Sequence, residues 1–188
     1  MHLLKAHYQS VIDELGIFDK LVRFEPMVVG TPPLGIDIES SDIDIACSCC
    51  DLRTFELEVT RQFGLLDDFT VKHIVAAGEP AVCLQFKYRG WIVELFCQSL
   101  PLDRICGVRH FLVEKRILEL RPELLEYIRE LKLSGLKTEP AFANALALDG
   151  DPFAAVLQLE SCSDKELSTL AAAASTRSPL ARRRGAIL

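Results

Sequence analysis

The sequence predicts an α+β protein in which a mixed sheet is backed by helices and followed by a helical C-terminal subregion. Three observations predict this fold class. About half of the 188 residues are apolar, which is enough to form a buried core. Three strand-like segments joined by short turns occupy the middle of the chain, and helical periodicity replaces them from about residue 104.

The first part of the chain predicts two helices and two strands. Apolar residues at helical spacing indicate a helix over residues 2–15. Short strand patterns follow at residues 24–29 and 42–47, separated by a loop rich in proline and glycine. Asp51 is a favourable N-cap for a second helix, which we expect to extend to about Phe63.

Three further strands are predicted in the middle of the chain. Residues 69–76, 81–88 and 91–97 have the composition and alternation of strands. The segments Gly78-Glu79-Pro80 and Arg89-Gly90 that join them are short enough for hairpins. We therefore expect this part of the sheet to be largely antiparallel.

The last part of the chain predicts helices. Residues 104–120 and 122–133 have helical periodicity, Thr138 is a good helix start, and Asp151-Pro152 begins one more short helix. Beyond that, serine, threonine and alanine dominate, and we expect residues 161–188 to be a disordered tail. The alternative is a basic peptide that contacts an acidic partner.

Charge and cysteine content narrow the classes of function. The formal net charge is −6, whereas proteins that bind long nucleic acid usually present a basic surface, so we expect small nucleotides as partners. No apolar run approaches the ~20 residues that span a bilayer, and the N-terminal residues lack a signal-peptide pattern, so we expect a cytoplasmic protein without a membrane partner. The seven cysteines, several of which lie in apolar, strand-like runs, are expected to be reduced core residues.

Asp42 and Asp44 are the first candidates for chemistry. Residues two apart in a strand point to the same face, about 6.5–7 Å apart along the chain. Two like charges placed in this way repel, and a divalent cation such as Mg²⁺ or Mn²⁺ would relieve the repulsion. Upstream, Gly30 leaves room for a phosphate and Thr31 offers a hydroxyl donor. The alternative is an edge strand with two solvated aspartates. The glycine and the hydroxyl one loop upstream favour the metal site over this alternative.

The segments Val28–Thr31 and Ser41–Ile45 together resemble the signature of the polymerase-β nucleotidyltransferase superfamily. In that superfamily an apolar strand ends in glycine and a small residue, and the next strand carries two acidic residues. The resemblance implies a third carboxylate on a later strand, for which Glu94 in the apolar run 91–96 is the natural candidate. An unpaired carboxylate in such a strand is costly, and a bound metal would explain it. A salt-bridged or edge-exposed glutamate is the alternative.

More narrowly, the chain resembles a family of small bacterial proteins within this superfamily, over roughly residues 10–160. The resemblance implies one nucleotidyltransferase-like domain at 1–160, with its catalytic sheet at about 17–100 and its helices at about 104–160. One departure is threonine in place of serine or glycine after Gly30, which retains the hydroxyl. The motifs that carry the resemblance are Gly30-Thr31-Pro32, Gly35-Ile36-Asp37, Ser41-Asp42, Arg109-His110 with Glu114 and Arg116, and Gly135-Leu136-Lys137-Thr138-Glu139-Pro140-Ala141-Phe142.

The resemblance implies transfer of a nucleoside monophosphate from a nucleoside triphosphate to an acceptor hydroxyl on a small molecule or a protein, with release of pyrophosphate. Two alternatives remain: a non-catalytic nucleotide-binding or regulatory module, and an enzyme that transfers pyrophosphate from a nucleotide or hydrolyses the nucleotide. The sequence leaves the oligomeric state open. The implied metal ligands are Asp42, Asp44 and Glu94, and the implied phosphate contacts are Gly30, Thr31 and Ser41.

Several polar residues of the helical region are further candidates for substrate binding. His110 and Glu114 are four apart and share a helix face, where they either approach the substrate or form a solvated or mutually bonded pair. Lys137 precedes a helix N-terminus, which suits phosphate, although an ordinary surface lysine is the alternative. Arg109 and Arg116 are candidates of the same kind.

Overall fold

The computed structural model describes residues 5–175. These residues divide into two compact units. The first unit comprises residues 5–33 and 40–108, and the second comprises residues 34–39 and 109–175.

The first unit contains a five-stranded mixed sheet with strand order β1-β2-β5-β4-β3. The pair β2–β5 is parallel and the other three pairs are antiparallel. The short connections on either side of β4 predict two of these three, β3–β4 and β4–β5. The elements are α1 (Tyr8–Leu15), α2 (Ile17–Lys20), β1 (Met27–Val29), β2 (Ile43–Ser48), α3 (Leu52–Phe63), β3 (Asp67–Ala76), β4 (Glu79–Tyr88) and β5 (Trp91–Gln98).

Alternation along the central strands creates one fully apolar face. Successive side chains of a strand point to opposite faces, so every second residue of β2, β4 and β5 enters the core. Apolar residues of α1 and α3 belong to the same buried cluster. The residues that the three strands contribute to it are Ile43, Ile45, Cys47, Val82, Leu84, Phe86, Val93, Leu95 and Cys97.

The predicted helix from Asp51 to Phe63 is confirmed, because the Asp51 carboxylate accepts a hydrogen bond from the Arg53 backbone N–H at 3.1 Å. The first helix is shorter than predicted: α1 begins at Tyr8, and residues 1–4 lie outside the described part of the chain. The strand predicted at residues 24–29 is also shorter, because residues 22–24 form a 3₁₀ turn.

The second unit is helical. Its central helix α6 packs against α5, α7 and α8. Helix α4 begins at the end of the first unit and continues into the second. The bounds of the helices are α4 (Cys106–Leu120), α5 (Leu124–Leu133), α6 (Thr138–Leu146), α7 (Pro152–Gln158) and α8 (Asp164–Ser175).

The expected disorder from residue 161 is wrong for the residues that form α8. The backbone N–H of Ser163 donates to the Glu166 carboxylate at 2.7 Å, and the Glu166 N–H donates to the Ser163 hydroxyl at 3.3 Å. This reciprocal arrangement is a capping box, which stabilises a helix start. Leu167 is then buried, with 2% of its surface exposed. The rest of the predicted tail, residues 176–188, lies outside the described residues.

All seven cysteines are free thiols. Cys47, Cys83 and Cys97 are buried in the first unit. Burial raises the pKa of the Cys97 thiol to about 12, so this group stays protonated at neutral pH. None of the helices within residues 5–175 combines the length and the apolar character needed to cross a bilayer. The assignment of residues 1–160 to a single nucleotidyltransferase-like domain remains a prediction.

Candidate functional site

The strand register places Asp44 beside Glu94. The two residues are direct partners in the parallel pair β2–β5. Neighbouring strands lie about 4.8 Å apart, and the side chains of paired residues project from the same face. Ile43 and Ile45, which flank Asp44, are buried in the core, whereas Asp44 itself is half-buried. Two of the three predicted acidic residues therefore share the sheet face that turns away from the core.

Asp42 lies immediately before the first residue of β2 and is half-buried. The predicted strand started at Asp42, so the observed strand starts one residue later. Asp42 is two residues from Asp44, the spacing that puts side chains of an extended chain on one side.

Gly30 follows β1 and approaches the Asp44 carboxylate closely. Val29, the last residue of β1, is the register partner of Asp44. The backbone of Gly30 has φ +73°, and a Cβ atom built at this position would lie 2.2 Å from Asp44 Oδ2. A glycine is therefore required both by the left-handed backbone and by the space that the carboxylate occupies.

The hydroxyl groups of Thr31 and Ser41 bond to each other. Thr31 Oγ1 donates to Ser41 Oγ at 3.1 Å, and both residues are buried. The Ser41 carbonyl also accepts a hydrogen bond from Lys5 Nζ at 2.6 Å. These bonds tie the residue after Gly30 to the residue before Asp42. Contact of either hydroxyl with phosphate remains a prediction.

Glu94 has a second neighbour that the sequence did not indicate. The Cys83 thiol is hydrogen-bonded to Glu94, and burial together with this carboxylate raises the pKa of the thiol to about 12. The thiol is therefore protonated and acts as a donor to Glu94. Gln85 on β4 is the direct register partner of Glu94, and Lys72 on β3 is that of Cys83, so both project from the carboxylate-bearing face. A cysteine in an apolar strand resembles any small hydrophobic residue, so only the register identifies it.

Three of the candidate cationic residues lie in the second unit. Arg109 forms an ion pair with Glu160, and Arg116 forms one with Asp164. Lys137 occupies the N-cap position of α6 without a side-chain cap bond, so its predicted place before a helix N-terminus is confirmed. Phosphate binding by these residues remains a prediction.

His110 and Glu114 lie one turn apart on α4, as the sequence predicts. Both are buried, and Glu139 from the first turn of α6 joins them. In the part of the chain that the structure describes, these three residues form the group of His, Cys, Asp and Glu side chains whose ligand atoms all lie within 4.8 Å of one another. The sequence did not predict the third member, because α4 and α6 are separated by α5.

The five-stranded mixed sheet with helices is the nucleotidyltransferase fold, which confirms the predicted fold class. Residues 10–159 match the family described as a domain of unknown function, DUF4269, and the chain belongs to this family. The sequence matches no curated protein.

Solved structures with this fold include nucleotide-transferring enzymes. The Cid1 poly(U) polymerase with MgGTP bound is 16% identical with a TM-score of 0.51, and the match covers 81% of this chain and 48% of that chain. A cytoplasmic RNA terminal U-transferase is 14% identical with a TM-score of 0.51, covering 74% of this chain and 46% of that one. The chain thus spans about half the length of these enzymes, and at this identity the likeness shows the fold alone.

Proposed function

We propose that the first unit is a nucleotidyltransferase that moves a nucleoside monophosphate from a nucleoside triphosphate to an acceptor hydroxyl and releases pyrophosphate. The observation that carries this proposal is the close approach of Gly30 to Asp44, whose register partner is Glu94. Because Gly30 has no side chain, the Asp44 carboxylate can lie against the backbone and share one face of the sheet with Glu94, where a triphosphate and its cation would bind.

The acidic residues fit a hard divalent cation. Asp42, Asp44 and Glu94 offer oxygen ligands, the kind that Mg²⁺ and Mn²⁺ prefer. When bound there, the cation would stabilise negative charge on the entering and leaving oxygens of a phosphoryl transfer.

The residues around these carboxylates have assignable roles. Gly30 leaves the space that the Asp44 carboxylate occupies. The bond between Thr31 and Ser41 fixes the chain on both sides of the loop. The exposed ammonium of Lys72 offers positive charge on the same face of the sheet. Because the Cys83 thiol donates to Glu94, it holds one of the carboxylate oxygens in place.

The proposed reaction needs one proton acceptor. The oxygen of the acceptor hydroxyl attacks the α-phosphorus, and the bond from that phosphorus to the oxygen that bridges to the β-phosphate breaks. Pyrophosphate leaves with this bridging oxygen, and Glu94 takes the proton of the attacking hydroxyl. The acceptor is a small molecule or a protein, since the net charge of −6 disfavours long nucleic acid.

Transfer of radiolabel tests this function. The full chain is incubated with Mg²⁺ or Mn²⁺, a cell extract as the source of acceptors, and each nucleoside triphosphate labelled on either the α- or the γ-phosphate. We expect α-label, and not γ-label, to appear on an acceptor whose mass identifies it. Asp44→Asn should lower this transfer by about a hundredfold or more, the typical loss when one electrostatic group is removed from a reacting centre. Asp67→Asn, an exposed residue of β3, is the matched control and should leave transfer unchanged.

Three outcomes would contradict nucleotidyl transfer, and each points elsewhere. Full activity of Asp44→Asn would show that the proposed carboxylate site does not catalyse the transfer. Transfer of γ-label without α-label, to a product whose mass has increased by two phosphates, would identify a pyrophosphate-transferring enzyme. Nucleotide binding that Asp44→Asn abolishes, with no product from the wild-type chain, would identify a binding or regulatory module.

A further inference from the structure

Three potential metal ligands of the second unit come from two helices. His110 and Glu114 share one face of α4, and Glu139 comes from the first turn of α6. Their ligand atoms all lie within 4.8 Å of one another. Acidic residues in the first turn of a helix are common, since they complement the helix dipole, so Glu139 alone would not indicate a ligand.

Two buried polar atoms of this cluster have no hydrogen-bond partner. His110 is 6% exposed and Glu114 is 3% exposed. Within residues 5–175, the buried side-chain nitrogen and oxygen atoms that lack a partner are His110 Nδ1 and Glu114 Oε1. Burying such an atom without a partner costs about 1–3 kcal/mol. That both unsatisfied atoms belong to one cluster indicates that a bound group completes it.

Charged groups of both signs act on the cluster. Burial, and then the carboxylate of Glu139, raise the pKa of Glu114 well above its usual range. Burial lowers the pKa of His110, which keeps the imidazole in the neutral form that binds metals. The buried Lys132 donates to Thr138 Oγ1 at 3.4 Å and lowers the pKa of Glu114 only in part. Glu139 and Glu160 act on the cluster together with Lys132 and Arg109, so the two unpartnered buried atoms, and not the balance of charge, indicate a bound group.

We propose that His110, Glu114 and Glu139 bind a divalent first-row transition-metal ion, with Zn²⁺ as its representative. An imidazole nitrogen with two carboxylate oxygens suits such an ion better than Mg²⁺, which prefers oxygen ligands alone. Ligand atoms at 2.0–2.2 Å from a tetrahedral ion lie roughly 3.4 Å apart. Since the ligand atoms here lie within 4.8 Å of one another, the three side chains need to close by at most about 1.4 Å. Three protein ligands leave one coordination position for water or another ligand.

Zinc titration of the full chain tests this site separately from the carboxylates of the first unit. All variants carry Asp42→Asn and Asp44→Asn, so that the proposed nucleotidyl-transfer site contributes no binding. We expect this background chain to bind one Zn²⁺ in competition with a chromogenic chelator. Glu114→Gln or His110→Gln should weaken binding by more than the roughly 10–100-fold that loss of an outer-shell partner causes. Glu119→Gln, an exposed residue on the same helix, is the matched control and should leave the affinity unchanged.

Glu139 is only half-buried, so we expect Glu139→Gln to fold normally. Loss of Zn²⁺ binding in this variant would therefore reflect loss of a ligand and not unfolding. With circular dichroism confirming a folded chain, Zn²⁺ should raise the thermal midpoint of the background chain and not that of Glu139→Gln. Co²⁺ should give visible absorption bands with the background chain that are lost in the same variant. A folded background chain that binds no Zn²⁺ would overturn the proposal, and so would Glu114→Gln and Glu139→Gln variants that bind Zn²⁺ as tightly as the background chain. Neither result tests nucleotidyl transfer, because every variant carries Asp42→Asn and Asp44→Asn in the proposed nucleotidyl-transfer site.

Discussion

At the scale of single residues, Gly30 shows how one position combines a conformational and a steric requirement. Its φ of +73° costs a residue with a side chain about 1–2 kcal/mol, and an added Cβ atom would collide with Asp44. Comparison with Gly78 separates the conformational requirement from the steric one. Gly78 has a similar φ of +85°, yet an added Cβ atom there would meet nothing within 4 Å.

Gly30→Ala and Gly78→Ala should therefore have similar effects on stability and different effects on activity. We expect each substitution to lower the free energy of unfolding by about 1–2 kcal/mol. Only Gly30→Ala should also displace the Asp44 carboxylate, and it should reduce nucleotidyl transfer by about a hundredfold. Urea denaturation and the radiolabel assay measure the two quantities. Equal activity of the two variants would show that the position of Asp44 does not limit the reaction.

The sequence predicts those residues of the candidate sites whose arrangement is local. The spacing of Asp42 and Asp44, and that of His110 and Glu114, follows from the period of a strand and of a helix. Cys83 could not be predicted as a neighbour of Glu94, because that contact depends on the register between two strands. Long-range pairing of this kind leaves no periodic signal in either segment.

At the scale of elements, α3 carries a carboxylate whose titration should be visible in the stability of the protein. The pKa of Glu58 is lowered to about 2, first by its hydrogen bonds with Arg61 and then by one from Gln62 at 2.8 Å. A carboxylate with a lowered folded-state pKa stabilises the protein above its unfolded-state pKa, and this contribution is lost as the pH falls through the folded-state value. The relevant window therefore runs from about pH 4.5 down to about 2.

Glu58→Gln should reduce stability at pH 7 and have a smaller effect at low pH. Because Arg61 is exposed to solvent, we expect a loss of only a few tenths of a kcal/mol at pH 7. The difference between the variant and the wild type should diminish as the pH falls through this window, as measured by urea denaturation at several pH values. In the Arg61→Ala background the same substitution should have less effect. A difference that is independent of pH would contradict the role of the ionised carboxylate.

Helix α8, like the short helix α2, is an element that the sequence did not predict, although the sequence contains a start signal for α8. Ser163 and Glu166 have the spacing of a capping box, which predicts a helix start. The alanine-rich residues that follow give no amphipathic pattern, so composition alone favoured disorder. Burial of Leu167 stabilises the helix, and that burial depends on packing which a local pattern does not reveal.

Truncation of Leu167 should therefore be costly. We expect Leu167→Ala to lower the free energy of unfolding by about 2–5 kcal/mol, because it leaves a cavity at a site that is 2% exposed. Leu133→Ala is the matched control, since Leu133 is 67% exposed, and it should change stability by less than about 0.5 kcal/mol. Similar values for the two variants, measured by chemical denaturation, would mean that α8 does not pack stably in solution.

At the scale of the whole molecule, the sequence predicts the order of elements better than their pairing. The hairpins between β3, β4 and β5 follow from short connections, whereas the parallel pair β2–β5 joins strands that lie far apart in the chain. That pair makes the sheet mixed, and it is also the pair that brings Asp44 and Glu94 together. The central feature of the candidate site is therefore a property of the topology.

The charge of the whole molecule predicts weak binding to long nucleic acid, although solved structures with this fold include a poly(U) polymerase and an RNA terminal U-transferase. Lys and Arg total 21 against 27 Asp and Glu, whereas affinity for a polyanion grows with the number of phosphates that basic side chains neutralise. Fluorescence anisotropy with a labelled single-stranded RNA of about 20 nucleotides should show a Kd of roughly 10⁻⁴ M or weaker at physiological salt.

A chain that ends at residue 175 is the matched control, because it lacks the basic run at residues 182–184. Micromolar binding by both chains, weakening steeply with salt, would show that residues 1–175 bind RNA. It would make an RNA 3′ hydroxyl the first acceptor to test. Micromolar binding by the full chain alone would assign RNA binding to the terminal segment. Weak binding by both chains would direct the search for an acceptor to small molecules and proteins.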